Sequence, residues 1–210
     1  MLKPKPAANR DAANTQKIGT GILKQMLSDN QDIIFNHINI NNRKDMDFTV
    51  IFVDGMIDFR LVDDDVLKPL IQEDVLGNAK NESELIDMIM RGTVYHCQRK
   101  LRDNLDDCVG DLLRGSVALV FDQSGMAVTF ELKGFEKRGI TEPTNENVLK
   151  GSKESFIEVL RVNTSLVRRR IQSNDLKIHQ LILGKRTKTI CNVINNGKIT
   201  YGLYDKNMVY

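Results

Sequence analysis

Three consecutive arginines, Arg168 to Arg170, end a run of residues from Lys153 to Ile171 whose composition is typical of a helix. Guanidinium groups bind carboxylates and phosphates through charge-assisted hydrogen bonds. On a helix, successive side chains are rotated by about 100°, so three adjacent arginines point in three directions. The pattern therefore argues against one shared phosphate site and predicts different roles for the three side chains.

The predicted helix has one apolar face, formed by Phe156, Leu160, Val167 and Ile171. This face is expected to pack inward. Asn163 and Arg170 lie close to it, and we expect both to be partly buried.

A buried amide or guanidinium group without a partner costs on the order of 1 to 3 kcal/mol. Glu142, Glu146 and Asp54 are candidate acceptors for Asn163 and Arg170. These five residues are predicted to form a brace between two lobes, and we favour this structural role over contact with a ligand.

Arg161 and Arg168 share the opposite, outward face of the predicted helix, with Arg169 on a third side. Together with Lys185 and Arg186 they form a candidate surface for a protein partner. The alternative for Arg168 and Arg169 is a solvated helix end whose charge complements the helix dipole. Arg161 is expected to pair with Glu158, one turn earlier.

Motifs for catalysis and for cofactor or metal binding are missing from the sequence. The segment "LGKRTKT" has His179 where a phosphate-binding loop needs its first glycine, and the three histidines and three cysteines lack metal-ligand spacing. For Asp63 to Asp65, capping of a helix is favoured over metal binding. The sequence therefore predicts no enzyme and no catalytic, cofactor-binding or metal-binding residues.

The chain has an α/β pattern. "FTVIFVDG" is typical of a buried strand, Val117–Phe121 and Val128–Leu132 of a hairpin, and the segments around "GKR" of two further strands. Gly92 and Gly115 suit helix C-caps. We predict two small α/β subdomains with mixed sheets, joined by a long ordered loop, Gly134 to Lys150, and followed by a C-terminal helix plus strands.

The predicted domain ranges are as follows. Residues 1–13 form a disordered leader, 14–78 the first subdomain, 79–193 the second subdomain with the loop and the arginine helix, and 194–210 a divergent tail. A weak likeness between "VIFVDGM" and "LVFDQSGM" supports two related lobes.

Composition is ordinary for a globular protein, with 41% hydrophobic and 28% charged residues and a net charge of +2. No apolar stretch approaches the roughly 20 residues of a membrane span, so we expect a soluble chain. The balanced charge argues against nucleic-acid binding. A nucleic-acid-binding or other non-catalytic interaction module, using the basic turns, remains the alternative function.

The segment from Gly134 to Thr189 contains a series of unlike residues at fixed spacing: Glu142-Pro143, Glu146, Asn163-Thr164, Arg168 to Ile171, and Gly184 to Thr189. With these residues the segment resembles the GerA family, the A subunits of bacterial spore germinant receptors, and specifically their N-terminal domain. Weaker matches extend it over roughly Ile18 to Val193. After Thr189 the sequence departs from the family pattern, and we expect a truncated chain without the membrane domain.

The resemblance implies a non-enzymatic receptor without cofactors, at the spore inner membrane. Its soluble domain is expected on the cytoplasmic, spore-core side, with a membrane domain after it and B and C subunits as partners. Nutrients such as amino acids or sugars then trigger germination. Within this resemblance the domain either binds the nutrient between its lobes or acts as an assembly scaffold that passes the signal to the membrane.

Overall fold

The computed structural model describes residues 17–40, 46–72, 78–92, 97–132, 134, 156 and 158–196. The predicted leader, Glu142, Glu146, nearly all of the predicted loop and most of the predicted tail lie outside these residues.

A five-stranded antiparallel sheet forms the centre of the fold. Its strands are β1 (Ile33–Asn39), β2 (Asp47–Val53), β3 (Arg99–Arg102), β4 (Val117–Phe121) and β5 (Met126–Phe130), in the order β1-β2-β4-β5-β3. The predicted β4–β5 hairpin is confirmed, with β4 at the predicted residues, β5 beginning two residues earlier than predicted, and Phe121 opposite Met126. All five residues of β4 are buried because helices cover both faces of the sheet.

The five-stranded sheet divides the core into two layers, and helices cover both. On one face α1 (Thr20–Met26) and α5 (Leu105–Leu113) pack against the sheet, with Leu23, Cys108 and Leu112 fully buried. On the other face lie α2 (Phe59–Val62), a π-helical turn (Asp63–Leu67), α3 (Lys68–Gln72) and α4 (Glu82–Arg91). Alternate strand residues supply the two layers, as the period of a β-strand requires.

The helix ends explain several of the sequence patterns. Gly92 and Gly115 have φ angles of 78° and 88° and close α4 and α5, as predicted. The predicted capping role of Asp63 to Asp65 is wrong, because these residues lie in the π-helical turn. Asp58 caps the segment instead, since its side chain accepts a hydrogen bond from Arg60 N at 3.0 Å.

The last elements are α6 (Leu160–Arg170), β6 (Leu176–Leu183) and β7 (Thr189–Asn196). The two strands form a separate antiparallel sheet, which confirms the predicted strand pair. Helix α6 starts at Leu160 rather than Lys153, because Val159 before it is extended.

The predicted inward face of this helix is wrong. Phe156 is 69% exposed and Ile171 37% exposed. The buried side of α6 carries Thr164, Ser165, Leu166 and Arg168, so it is mostly polar and apolar periodicity could not identify it.

The predicted α/β class is confirmed, but the strands of both sheets pair antiparallel where mixed sheets were predicted. The five-stranded sheet combines strands from both sides of residue 78, because β2 pairs with β4. The strands of the five-stranded sheet thus lie between Ile33 and Phe130, and those of the two-stranded sheet between Leu176 and Asn196.

Candidate functional site

A short polar segment, Asn30 to Asp32, joins the two sheets. Gln31 N donates to Ile178 O on β6 at 3.0 Å, and Asp54 N donates to Asp32 O at 2.7 Å. Asn30 also forms an isolated parallel bridge with Ile178. The backbone after α1 therefore contacts both the turn after β2 and the first strand of the second sheet.

Arg168 is fully buried against this segment. Its Nε donates to Asp32 Oδ2 at 2.8 Å and its Nη2 donates to Asp32 Oδ1 at 2.9 Å, a bidentate ion pair. Nη2 also donates to Asn30 Oδ1 at 2.7 Å, while Nη1 donates to the carbonyls of Leu176 and Ser173. All five N–H donors are used, so the guanidinium group is satisfied inside the protein.

Arg168 therefore has the bracing role that was predicted for Arg170 and Asn163. Its assignment to an exposed partner surface is wrong, and so is the prediction of a partly buried Arg170, which is exposed. Asn163 is half-buried, as predicted. Arg168 rather than Arg170 is buried because the buried face of α6 is mostly polar and Arg168 lies on that face.

Asp54 and Arg161 form a second ion pair, with Arg161 Nη2 2.9 Å from Asp54 Oδ1. Their side chains are 42% and 52% exposed. Asp54 was one of three candidate acceptors for Arg170 and Asn163, and Glu158 was the predicted partner of Arg161. The structure pairs Asp54 with Arg161 instead. Gly55, next to Asp54, has a φ angle of 80°, and an added Cβ would lie 3.1 Å from Arg161 Cγ.

A cleft of about 280 Å³, which we call the hairpin cleft, opens between α6, β6, β7 and the Asn30–Asp32 segment. Asp32, Asp54 and Arg161 contribute its charged groups. Its polar lining includes Thr164, whose Oγ1 donates to Leu160 O and accepts from Asn192 Nδ2 at 2.8 Å. The cleft therefore combines both signs of charge with hydrogen-bonding groups.

Two features of the lining leave capacity for a ligand. Asn192 Oδ1 is buried and has no hydrogen-bond partner among the described residues. The Asp54–Arg161 pair is exposed, so water or a ligand can reach both charges. Asp32, in contrast, has both oxygens bound by Arg168 and serves as a fixed floor.

A second cleft of about 500 Å³ lies on the other side of α6. Gly55, Phe59, Arg161 and Arg169 are among its lining residues. Arg161 thus lines both clefts, whereas the half-buried Arg169 belongs to the second. Lys185 and Arg186 are exposed at the turn between β6 and β7, away from both clefts.

A separate polar cluster surrounds Asp111 on α5. Burial alone would raise the pKa of Asp111, but hydrogen bonds from Arg102, Arg114 and Thr129 outweigh burial and lower the pKa to about 2. Burial, with the nearby Asp111 charge, raises the pKa of Cys108 to about 12. The Cys108 thiol is therefore protonated at neutral pH and a poor nucleophile.

Sequence reasoning missed Asn30, Asp32, Thr164 and Asn192. Asn30 and Asp32 stand in "SDNQDII", a polar stretch between a helix and a strand that is equally typical of a turn. What distinguishes Asn30 and Asp32 is their contact with Arg168. The sequence does not reveal this contact, because Arg168 lies 136 residues after Asp32. Among the described residues, no group of three or more His, Cys, Asp or Glu side chains could hold a metal ion.

Comparisons with known proteins agree with the fold and identify the family. The profile of the family described as "Bacillus/Clostridium GerA spore germination protein" matches residues 21–201. The N-terminal domain of the A subunit of the Bacillus megaterium spore germinant receptor GerK3 superimposes with a TM-score of 0.64 at 19% identity. That superposition covers 89% of this chain and 68% of the GerK3 domain.

Relatives in Bacillus subtilis (strain 168) include spore germination protein KA, 25% identical over 79% of this chain, and stage V sporulation protein AF, 32% identical over 57%. An uncharacterized membrane protein, YfkQ, is 27% identical over 75% of the chain. The chain spans only 30%, 24% and 29% of these three proteins, respectively.

The chain belongs to the GerA family of spore germination proteins, since the family profile covers most of its length. This confirms the resemblance drawn from the sequence and supports a role in germination. In the part of the chain that the structure describes, no helix is long and apolar enough to cross a membrane.

Proposed function

We propose that this chain is the nutrient-sensing domain of a germinant receptor and that the hairpin cleft takes a small nutrient molecule. The observation that carries the proposal is that one cleft is lined by the exposed Asp54–Arg161 pair and by Asn192, whose Oδ1 has no hydrogen-bond partner among the described residues. A cleft of about 280 Å³ is close to the lower limit for small-molecule sites, so it suits one amino acid or one monosaccharide.

The charges of the cleft match an amino acid. An exposed ion pair contributes about 1 kcal/mol or less to stability, so a ligand can separate it at little cost. The ammonium group of an amino acid would replace Arg161 at Asp54, and its carboxylate would pair with Arg161. A sugar would instead use Thr164 and Asn192.

Helix α6 offers a route for the signal. Arg161 on its first turn contacts the cleft, while Arg168 near its end is bound to Asp32 and to the start of β6. Separation of the Asp54–Arg161 pair would shift the first turn of α6 against this fixed end. The hairpin, which follows α6, would carry that shift towards the rest of a receptor at the spore inner membrane.

The test is an NMR titration of the 210-residue chain with a panel of amino acids and sugars. We expect saturable amide shifts confined to residues near Asp54, Arg161 and Asn192. Arg161→Gln should weaken binding of an amino acid at least about tenfold, because a charge-assisted hydrogen bond is lost.

Arg91→Gln is the matched control. Arg91 also forms an exposed pair with an aspartate, Asp87, at 2.6 Å, but on α4 and away from the cleft. Binding should be unchanged in this variant. Silence across the whole panel, or an equal loss in both variants, would contradict nutrient binding in the cleft.

The second candidate function is an assembly scaffold for B and C receptor subunits. It is supported by Arg170, Lys185 and Arg186, whose side chains are exposed. Co-purification with such subunits that is lost on Lys185→Glu and Arg186→Glu, combined with a silent titration, would favour the scaffold. A nucleic-acid-binding module would instead show a steep dependence of binding on salt.

A further inference from the structure

The β6–β7 hairpin has a charge unlike that of the whole chain. From Leu176 to Asn196 it contains four basic residues and no acidic residue, a formal charge of +4 in a chain with a total of +2. Three of the four, Lys185, Arg186 and Lys188, lie in or next to the turn and are exposed. The positive charge is therefore concentrated at the end of the hairpin.

The same end of the hairpin exposes large apolar side chains. Ile182 and Ile190 stand directly opposite each other in the strand register and are 66% and 51% exposed. Leu183, on the other face, is 53% exposed. At the base of the hairpin, in contrast, Ile178 is only 1% exposed, so the strands extend beyond the core.

We propose that the hairpin tip, residues 182–190, docks on an anionic lipid surface. Basic side chains bind the headgroups, and the isoleucine pair and Leu183 enter the boundary with the acyl chains. Nucleic acid would use the cations but leave the apolar side chains in water. A second copy of the chain, docked tip to tip, would bring the two sets of basic residues into mutual repulsion.

The proposal goes beyond nutrient binding, and of the tip residues only Ile190 also lines the hairpin cleft. It gives the hairpin an attachment to the membrane surface through side chains. Each basic residue near an anionic surface contributes about fivefold to binding, so neutralising two should weaken it about 30-fold.

A single introduced tryptophan provides the readout, because the chain contains no tryptophan. Ile182→Trp should show a blue shift of its fluorescence when vesicles of phosphatidylcholine and phosphatidylglycerol are added, and no shift with phosphatidylcholine alone. Ile182 is changed rather than Ile190 because Ile190 also lines the cleft. Ile71→Trp is the control, since Ile71 is 50% exposed on α3, far from the tip in sequence.

Co-sedimentation with the same vesicles tests the charge. Lys185→Gln with Arg186→Gln should lower binding about 30-fold, whereas Lys100→Gln with Arg170→Gln removes the same charge elsewhere and should have a small effect. Equal losses in both double variants would overturn the proposal. Equal binding to neutral and anionic vesicles would also overturn it. So would a chain that does not bind vesicles but forms a concentration-dependent dimer, if Ile182→Ser abolishes that dimer.

Discussion

Two arginines of α6 each pair with an aspartate, and the two pairs differ in burial and in the role that this permits. Arg161 and Arg168 are seven residues apart, which places them on nearly the same side of the helix. Arg161 pairs with Asp54 and is half-exposed, whereas Arg168 pairs with Asp32 and is fully buried. The position around the helix is the same, so the difference comes from what covers each turn.

The covering elements are distinct. Arg168 lies under the start of β6 and the Asn30–Asp32 segment, which satisfy its remaining donors. Arg161 faces the turn after β2 and borders two clefts. The buried pair can therefore only hold the fold together, and the exposed pair is free to exchange its partner for a ligand.

The largest expected effect is the loss of Arg168. Arg168→Ala leaves Asp32 as a buried carboxylate without its cation, which costs about 3 to 5 kcal/mol. Urea unfolding followed by circular dichroism should show this decrease in the free energy of unfolding. Arg170→Ala, a control on the same helix, should change stability by less than about 0.5 kcal/mol.

The pair itself is tested by a double variant. Asp32→Ala combined with Arg168→Ala should cost less than the sum of the two single changes, because the second change removes the stranded charge. Additive effects, or a stable Arg168→Ala chain, would mean that Asp32 and Arg168 are not coupled. Burial would then not distinguish the Asp32–Arg168 pair from the Asp54–Arg161 pair.

The cluster around Asp111 is a third case, with a buried carboxylate and more exposed arginines. The pKa of Asp111 is lowered from 3.8 to about 2. The contribution of Asp111 to stability is therefore present above pH 4 and is lost as the pH falls towards 2. The shift corresponds to about 2 kcal/mol. Urea unfolding at pH 7 and at low pH should give a smaller pH difference in Asp111→Asn than in the parent.

Asp107→Asn is the control for this measurement. Asp107 lies on the same helix, is 63% exposed, and approaches Arg102 only at 3.9 Å. It should retain the parent's pH dependence. If Asp111→Asn also retained it, other carboxylates would be responsible for the loss of stability in acid.

Local patterns in the sequence predicted the elements that depend on neighbouring residues. The β4–β5 hairpin, the β6–β7 pair and the glycine C-caps follow from strand alternation and from the φ angles that glycine permits. The order of the strands could not be predicted in this way. It depends on β2 pairing with β4 across more than sixty residues of chain.

The candidate site was predicted in kind but not in detail. A buried arginine and amide were expected to join two parts of the chain, and Arg168 with Asn30 does so, although Arg170 and Asn163 were named. The error arose because apolar periodicity locates a buried face only when that face is apolar. Here Thr164, Ser165 and Arg168 face inward, and their partners are distant in sequence.

The smallest effect on stability, and the sharpest test of the comparison, is expected at Arg161. Arg161→Gln should change the free energy of unfolding by about 1 kcal/mol or less, because both members of the pair are exposed to water and to salt. Arg91→Gln, which breaks the exposed pair with Asp87, should have a similar small effect. Urea unfolding at low and high salt measures both. A loss of several kcal/mol in Arg161→Gln alone would make this pair a second structural brace, and Asp54 would then be unavailable to a ligand.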